Sequence, residues 1–292
     1  MISGFREPGF RKIDMKLYTF EANGTQKVGV ERDDRLVELP YPGLIDLIQA
    51  GEEGLTAAQT ADGASYALDQ VTILAPLPRP GKILCSGLNY NSHIEENPGA
   101  KLLDDPRFFC KFPDNVIGPG QPIRYPGAQY QLDYEVELAV VFGKTLPAGS
   151  PAEAVMDAIF GYTILHDVSA RWMQFHEANE VLGKNFDTFC PMGPCIVTKD
   201  EIPDPSKLRL TLKLNGQTMQ DRTNEDWCFP LPRLIAWITQ GLTLRPGDVV
   251  STGTPAGVGL FRKPPVWLKP GDVCELAISG IGKLINPVQE AA

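Results

Sequence analysis

The sequence predicts a β-rich α+β protein with a small α+β unit at its N-terminus and a larger domain after it. Three observations carry this. Glycine occurs 28 times and proline 26 times, often as turn pairs between short apolar runs, which is the punctuation of strands rather than of long helices. The stretch Pro76-Leu77-Pro78-Arg79-Pro80 supports neither a continuous helix nor a central strand, and it divides the chain into expected domains of residues 1–75 and 76–292. A length of 292 residues with 43% hydrophobic content is enough for one large core, or for a large domain with a small companion.

Taken in order, residues 1–14 show no clear periodicity and read as an extension without an assigned role. KLYTFE, QKVGVER and RLVEL over residues 16–39 read as three strands, the first two joined by Asn23-Gly24, a pair suited to a type I′ turn. Leu44, Leu47 and Ile48 mark a short helix. After the Pro-rich stretch, KILCSGLNY opens the larger domain as a strand. Ser150, Pro151 and Glu153 fit an N-cap, a first-turn proline and the far half of a capping box, predicting a helix that stops before Gly161. A second helix is expected over residues 231–240, with Leu234, Ile235 and Ile238 on one face and Gly241 as its stop. Asn215-Gly216 turns another hairpin. LRPGDVV at 244–250 and LKPGDVC at 268–274 each read as a Pro-Gly turn launching a strand.

The formal charge is −9, from 27 Lys and Arg against 36 Asp and Glu, with the basic residues scattered. That argues against nucleic acid or an acidic membrane surface as a partner. No apolar run approaches the roughly 20 residues that span a bilayer, and the N-terminus lacks a signal-peptide apolar region. A cytoplasmic protein is expected. The six cysteines, Cys85, Cys110, Cys190, Cys195, Cys228 and Cys274, form no C-x-x-C pair and are expected as reduced, mostly buried thiols.

The most informative segment is QLDYEVELAVVFG, residues 131–143. Read as one strand, it points Asp133, Glu135, Glu137, Ala139 and Val141 one way and Tyr134, Val136, Leu138 and Val140 the other. The acidic face runs on into apolar residues, so Glu137 is expected beside a buried region. A carboxylate there requires Arg, Lys, backbone donors or a metal. A solvated strand edge is the competing reading. In FGYTILHDVSAR, residues 160–171, the alternate set Thr163, Leu165, Asp167 again ends an apolar face in an acid, although a lone Asp at a strand end is more often a turn former or cap. Three oxygen ligands with no Cys or paired His nearby suit Mg²⁺ or Mn²⁺ with waters completing an octahedron.

Five ordered blocks, SGLNYNSHIEE at 86–96, DYEVELAVVFGK at 133–144, GYTILHDVSAR at 161–171, GKNFDTFCPMGP at 183–194 and STGTPAGVG at 251–259, resemble the fumarylacetoacetate hydrolase family in its smaller bacterial-type members, over roughly residues 76–288. The resemblance implies a mixed β-sandwich roll with a variable N-terminal part, usually assembled as a homodimer. It implies Glu135, Glu137 and Asp167 as ligands of Mg²⁺ or Mn²⁺, and His93 as a general base that Glu96, three residues on, orients or relays for if the segment forms a helical turn. Lys184 and Gln174 then hold developing negative charge, and Thr254, in a glycine loop, contacts substrate. Taken alone, His93 reads as a hydrogen-bonded surface histidine and Lys184 as a surface lysine. Two positions depart from the family: His166 stands where Asn is common, and Trp172 where Asp is common. The additional upstream acid of the mammalian-type enzymes has no counterpart before His93.

The implied activity is metal-dependent hydrolysis of a carbon–carbon bond in an acylpyruvate-like or other 1,3-dicarbonyl oxo acid, through a metal-stabilised enolate. The same enolate serves the alternative, a decarboxylase or keto–enol isomerase of an oxo dicarboxylate such as oxaloacetate or a 2-hydroxyhepta-2,4-dienedioate. A non-catalytic binding protein on this scaffold is the third reading. It predicts loss of the metal or base residues, and all of them are present.

Overall fold

The computed structural model describes residues 15–291, so the expected extension over residues 1–14 lies outside the described residues. A long mixed sheet organises the chain. Along its main path the strands run Ser65–Ala67, Arg35–Leu39, Thr25–Arg32, Lys16–Ala22, Cys190–Thr198, Ile159–His166, Val136–Phe142, Val249–Ser251, Ile83–Gly87 and Arg107–Lys111. Neighbours on this path are antiparallel except Val249–Ser251 and Ile83–Gly87, which are parallel. The N-terminal strands continue this sheet: Lys16 and Leu17 pair with Val197 and Ile196.

A second sheet of five strands, Gln217–Thr223, Arg209–Leu214, Val273–Ile278, Gly282–Glu290 and Ile123–Tyr125, packs on the first. Its strand Arg209–Leu214 buries Leu210, Leu212 and Leu214 and leaves the alternate residues more open, the pattern of a sheet with one wet face. Leu210, Leu212, Leu276 and Ile278 meet Val136, Leu138, Val140 and Phe142 in one core. On the opposite face of the large sheet, Ala139, Val141, Leu165 and Ile196 pack with Leu44, Leu47 and Ile48 of the helix Leu44–Gln49. The strand Val136–Phe142 is therefore buried on both faces, which explains its almost unbroken apolar sequence. This is the mixed β-sandwich roll that the sequence implied.

Local signals are realised where the sheet agrees with them. Asn23-Gly24 and Asn215-Gly216 turn their hairpins in the left-handed region, at φ of 53° and 72° and of 52° and 82°. The helix Leu231–Thr239 ends one residue before the expected limit and buries Leu234, Ile235 and Ile238. Two expectations fail. At Ser150 there is only a 3₁₀ turn, Ala152–Ala154, and a single helical turn, Val155–Ala158, without a side-chain cap. Ser150 Oγ instead donates to the Pro147 carbonyl at 2.7 Å. Ile159 is drawn into the sheet opposite Phe142, so tertiary pairing overrides the local helix signal.

The second failure shapes the site. Residues 131–143 are not one strand. Leu132 and Asp133 pair with Ala170 and Ser169, while Val136–Phe142 pairs with Ile159–His166, starting at Val136 opposite His166. Between the two ladders, residues 134–135 face 167–168 across an opening bridged by the bond from Asp167 N–H to the Glu135 carbonyl at 3.0 Å. Glu135 and Asp167 both stand in that opening.

Cys85, Cys190, Cys195 and Cys274 are buried, and Cys110 and Cys228 are partly exposed. Burial pushes the Cys190 and Cys195 thiols up to about 12 and, with Asp226 adding to it, Cys228 to about 11. Because the thiolate is the reactive form, iodoacetamide at about pH 8 should modify at most Cys110 and Cys228 in the native protein, and all six only after unfolding. Peptide mapping that finds Cys190 or Cys195 alkylated under native conditions would contradict this packing.

Candidate functional site

The opening in the ladder gathers three acids. Glu137 projects from Val136–Phe142, Glu135 precedes that strand and Asp167 follows Ile159–His166. One oxygen of each lies within 4.8 Å of the others. Glu135 is 4%, Glu137 1% and Asp167 0% exposed, so the solvated-edge reading does not hold.

Burial at this depth requires compensation, and the surrounding bonds supply most of it. Lys184 Nζ donates to Glu135 Oε2 at 2.6 Å and to Asp167 Oδ2 at 2.7 Å. Lys111 Nζ donates to Asp167 Oδ1 at 2.5 Å and to the carbonyls of Val168 and Lys184 at 3.2 and 2.7 Å. Arg171 donates through Nη2 to Glu135 Oε1 at 2.6 Å and through Nε to Asp133 Oδ2 at 2.8 Å. The partners of Glu137 Oε2 are neutral: Ser251 Oγ and Gly253 N–H. Four buried carboxylates, those of Asp133, Glu135, Glu137 and Asp167, thus face three buried cations.

The uncompensated charge falls on Glu137. Burial, with Asp167 and Glu135 beside it, pushes its carboxyl well above the usual range. Burial acts the same way on Glu135, but Arg171 and Lys184 outweigh it and hold that carboxyl well below. For Lys184, burial favours loss of the proton, while Asp167 and Glu135 keep the ammonium charged. A buried, all-oxygen donor set short of one positive charge fits a hard dication.

The opposite wall is built by the helix Asn91–Glu96. His93 Nδ1 and Glu96 Oε1 are 2.7 Å apart, and Glu96 Oε2 accepts from the Gly257 N–H at 2.7 Å. Only glycine serves at 257, because its φ is +111° and a Cβ would stand 2.2 Å from the Met219 carbonyl oxygen. His93 is 8% exposed, not a surface residue. A cavity of about 270 Å³ lies between this helix and the acids, and it is lined by every expected site residue except Glu96, which stands behind His93. Gln174 accepts a bond from Arg171 Nη1 at its Oε1, at 2.9 Å, leaving the amide nitrogen as its donor. The Thr254 hydroxyl donates to the Val136 carbonyl at 3.0 Å and accepts from Gln220 Nε2 at 2.8 Å, so it also anchors the glycine loop.

Sequence reasoning missed Lys111 and gave Arg171 and Asp133 no role. Lys111 had a signal in strand alternation, since Arg107, Phe109 and Lys111 share one face of Arg107–Lys111. Arg171 stood inside a matching block. Of the two departures, His166 is fully buried and neither ring nitrogen has a partner among the described residues. Burial, with Lys111 nearby, holds its pKa down to about 3, so the ring is neutral. Trp172 is 44% exposed and stacks on His176 at 4.5 Å outside the cavity lining.

A mixed roll with buried acids at the head of a small cavity defines a class of small-molecule enzymes, and comparison with known proteins specifies it. The sequence pattern of the fumarylacetoacetate (FAA) hydrolase C-terminal domain matches residues 82–289. Oxaloacetate tautomerase YisK of Bacillus subtilis is 38% identical over 301 residues, covering 94% of this chain and 100% of the relative. The mitochondrial oxaloacetate tautomerase Fahd2a of Rattus norvegicus is 43% identical over 251 residues, covering 84% and 79%. Among solved structures, fumarylacetoacetate hydrolase from Exiguobacterium antarcticum superposes with a TM-score of 0.84 at 35% identity, covering 95% of this chain and 100% of the other. A 2-hydroxyhepta-2,4-diene-1,7-dioate isomerase from Mycobacterium marinum gives 0.78 at 31% identity, covering 95% and 99%. The chain belongs to the fumarylacetoacetate hydrolase family. Among the described residues, no helix is long and apolar enough to cross a membrane.

Replacing Lys111 with Met should leave Asp167 and two backbone carbonyls short of a buried partner and cost about 3–5 kcal/mol of stability. Urea unfolding of the variant checks this. A loss below about 1 kcal/mol, the level of an exposed pair, would show that the ammonium does not carry the compensation assigned to it.

Proposed function

We propose that this protein interconverts the keto and enol forms of an oxo dicarboxylate of the oxaloacetate kind, with Mg²⁺ or Mn²⁺ held by Glu135, Glu137 and Asp167. The observation that carries this reading is the shared cavity, with a carboxylate-backed histidine on one wall and the acid cluster on the other. The relatives named as oxaloacetate tautomerases favour isomerisation over carbon–carbon hydrolysis. Hydrolysis is the second reading, supported by the fumarylacetoacetate hydrolase structure.

When bound, the dication supplies Lewis-acid polarisation of an oxo oxygen. The remaining work belongs to the chain's own groups. Glu96, fixed by the Gly257 N–H, accepts the Nδ1 proton of His93 in a hydrogen bond, which leaves Nε2 as the free base. That nitrogen takes a proton from the carbon beside the oxo group and delivers it to the oxo oxygen, and in the reverse direction takes the enol hydroxyl proton and returns it to that carbon. The net change is one proton moved between carbon and oxygen. Lys184 and the amide nitrogen of Gln174 bind the oxygens on which negative charge collects. No water attacks in this sequence, whereas hydrolysis requires His93 to activate one.

Two measurements test the reading. Mg²⁺ or Mn²⁺ should raise the melting temperature, and Glu137→Gln should abolish the rise; a wild-type protein that calorimetry shows indifferent to both ions would remove the metal from the proposal. In a spectrophotometric assay of enol-oxaloacetate with metal present, His93→Ala should lower kcat by about 10²–10⁴-fold, and Glu96→Gln should lower it less while displacing the pH profile. If the wild-type enzyme instead cleaves acylpyruvates and leaves oxaloacetate untouched, the hydrolytic reading takes its place.

A further inference from the structure

One strand face runs from the acid cluster to the cavity rim. On Arg107–Lys111, alternation places Lys111, Phe109 and Arg107 on the same side. Lys111 at the inner end bonds Asp167. Phe109 lines the cavity with its ring centroid 4.9 Å from Lys184 Nζ. Arg107 lines the cavity at the outer end. Four residues at the rise of a strand set Arg107 roughly 13 Å along the backbone from Lys111, and the long side chain reaches back over part of that distance.

The cations around this cavity differ in what they have left to give. Lys111, Lys184 and Arg171 are each bonded to carboxylates of the acid cluster and buried. Arg107 has one ionic partner among the described residues, Glu180, reached through Nη2 at 2.8 Å. Its side chain is 55% exposed. A guanidinium carries five N–H donors in a planar fork, so most of this one is open to a ligand. Elsewhere the cavity lining includes Phe175, Leu260 and Phe261, which carry no charge.

We propose that Arg107 is a specificity residue that binds the distal carboxylate of an oxo dicarboxylate, while Glu180 holds the guanidinium over the mouth and competes for it. The assignment rests on the cavity being an oxo-acid site. One end of the substrate is held at the acid cluster by Lys184 and Gln174. The other end presents a planar anion, and a forked donor matches its two oxygens where an ammonium makes only a point contact. A mono-acid of the same length leaves Arg107 paired with Glu180 and gains nothing from it. The site therefore selects for the second charge.

The test compares oxaloacetate with 2-oxobutanoate, which has a methyl group in place of the distal carboxylate. Calorimetric titration of the Mg²⁺-loaded full chain reads the ratio of their affinities in wild type, Arg107→Met, Arg107→Lys and Glu180→Gln. Wild type should favour oxaloacetate by about tenfold or more, the worth of a charged hydrogen-bonded contact. Arg107→Met should erase that preference by weakening oxaloacetate alone, Arg107→Lys should restore part of it, and Glu180→Gln should enlarge it. A preference unchanged in Arg107→Met, or absent from wild type, overturns the proposal; if that variant does not fold, an unchanged preference in Glu180→Gln does so. Should wild type turn over no oxo acid yet lose its preference in Arg107→Met, the tautomerase reading falls and the Arg107 assignment stands.

Discussion

The balance between buried acids and buried cations is the constraint on which the rest of the structure depends. Asp133, Glu135, Glu137 and Asp167 cannot be charged in the interior without partners, and Lys111, Arg171 and Lys184 answer them at hydrogen-bond distance. Each cation also fixes the element that bears it. Lys111 ends the strand Arg107–Lys111, Arg171 begins the helix Arg171–Phe175, and Lys184 ends the helix Glu180–Lys184. Gly183 lets those two helices touch, since a Cβ there would stand 2.5 Å from Gln174 Cα. The walls of the cavity are therefore placed by ionic bonds to its floor, and Gln174, Phe109, Glu180 and Arg107 follow from them.

The charge left over is equally informative. A site designed only for stability would match each acid with a base, or replace both with apolar groups of similar volume at little cost. Here Glu137 receives two neutral donors, and its carboxyl is pushed up in consequence. On the function proposed above, a dication would turn this local excess of one negative charge into an excess of one positive charge, which the carboxylate of an oxo acid would neutralise.

A single loop joins the two halves of the site. After Val249–Ser251, Gly253 donates to Glu137 and Gly257 donates to Glu96, with Thr254 tying the same loop to Val136. The distance between the acid cluster and the His93 helix is thus set by five consecutive residues rather than by the packing of distant surfaces. That rigidity suits proton transfer, which requires donor and acceptor held at hydrogen-bond reach.

Several features were written locally and could be read locally. The Asn-Gly turns, the alternation of Val136–Phe142 and the faces of Leu44–Gln49 and Leu231–Thr239 needed only neighbouring residues to be seen. The candidate residues His93, Glu135, Glu137 and Asp167 were instead singled out by the five ordered family blocks, since taken alone they also read as a surface histidine, a solvated acidic edge and a turn former. The capping signal at Ser150 misled for the complementary reason: it too was local, and pairing of Ile159 with Phe142 outweighed it. The opening of the ladder at residues 134–135, the burial of Lys184 and the pairing of Arg107 with Glu180 had no local trace, and the alternation of Arg107–Lys111 gave Lys111 a face but not its buried partners. Each depends on which distant segment lies opposite, because charge compensation and strand register are set by contacts across space. The sequence by itself supplied the candidate side chains; only the tertiary structure decided which charges those side chains face, because the partners lie on segments distant in the chain.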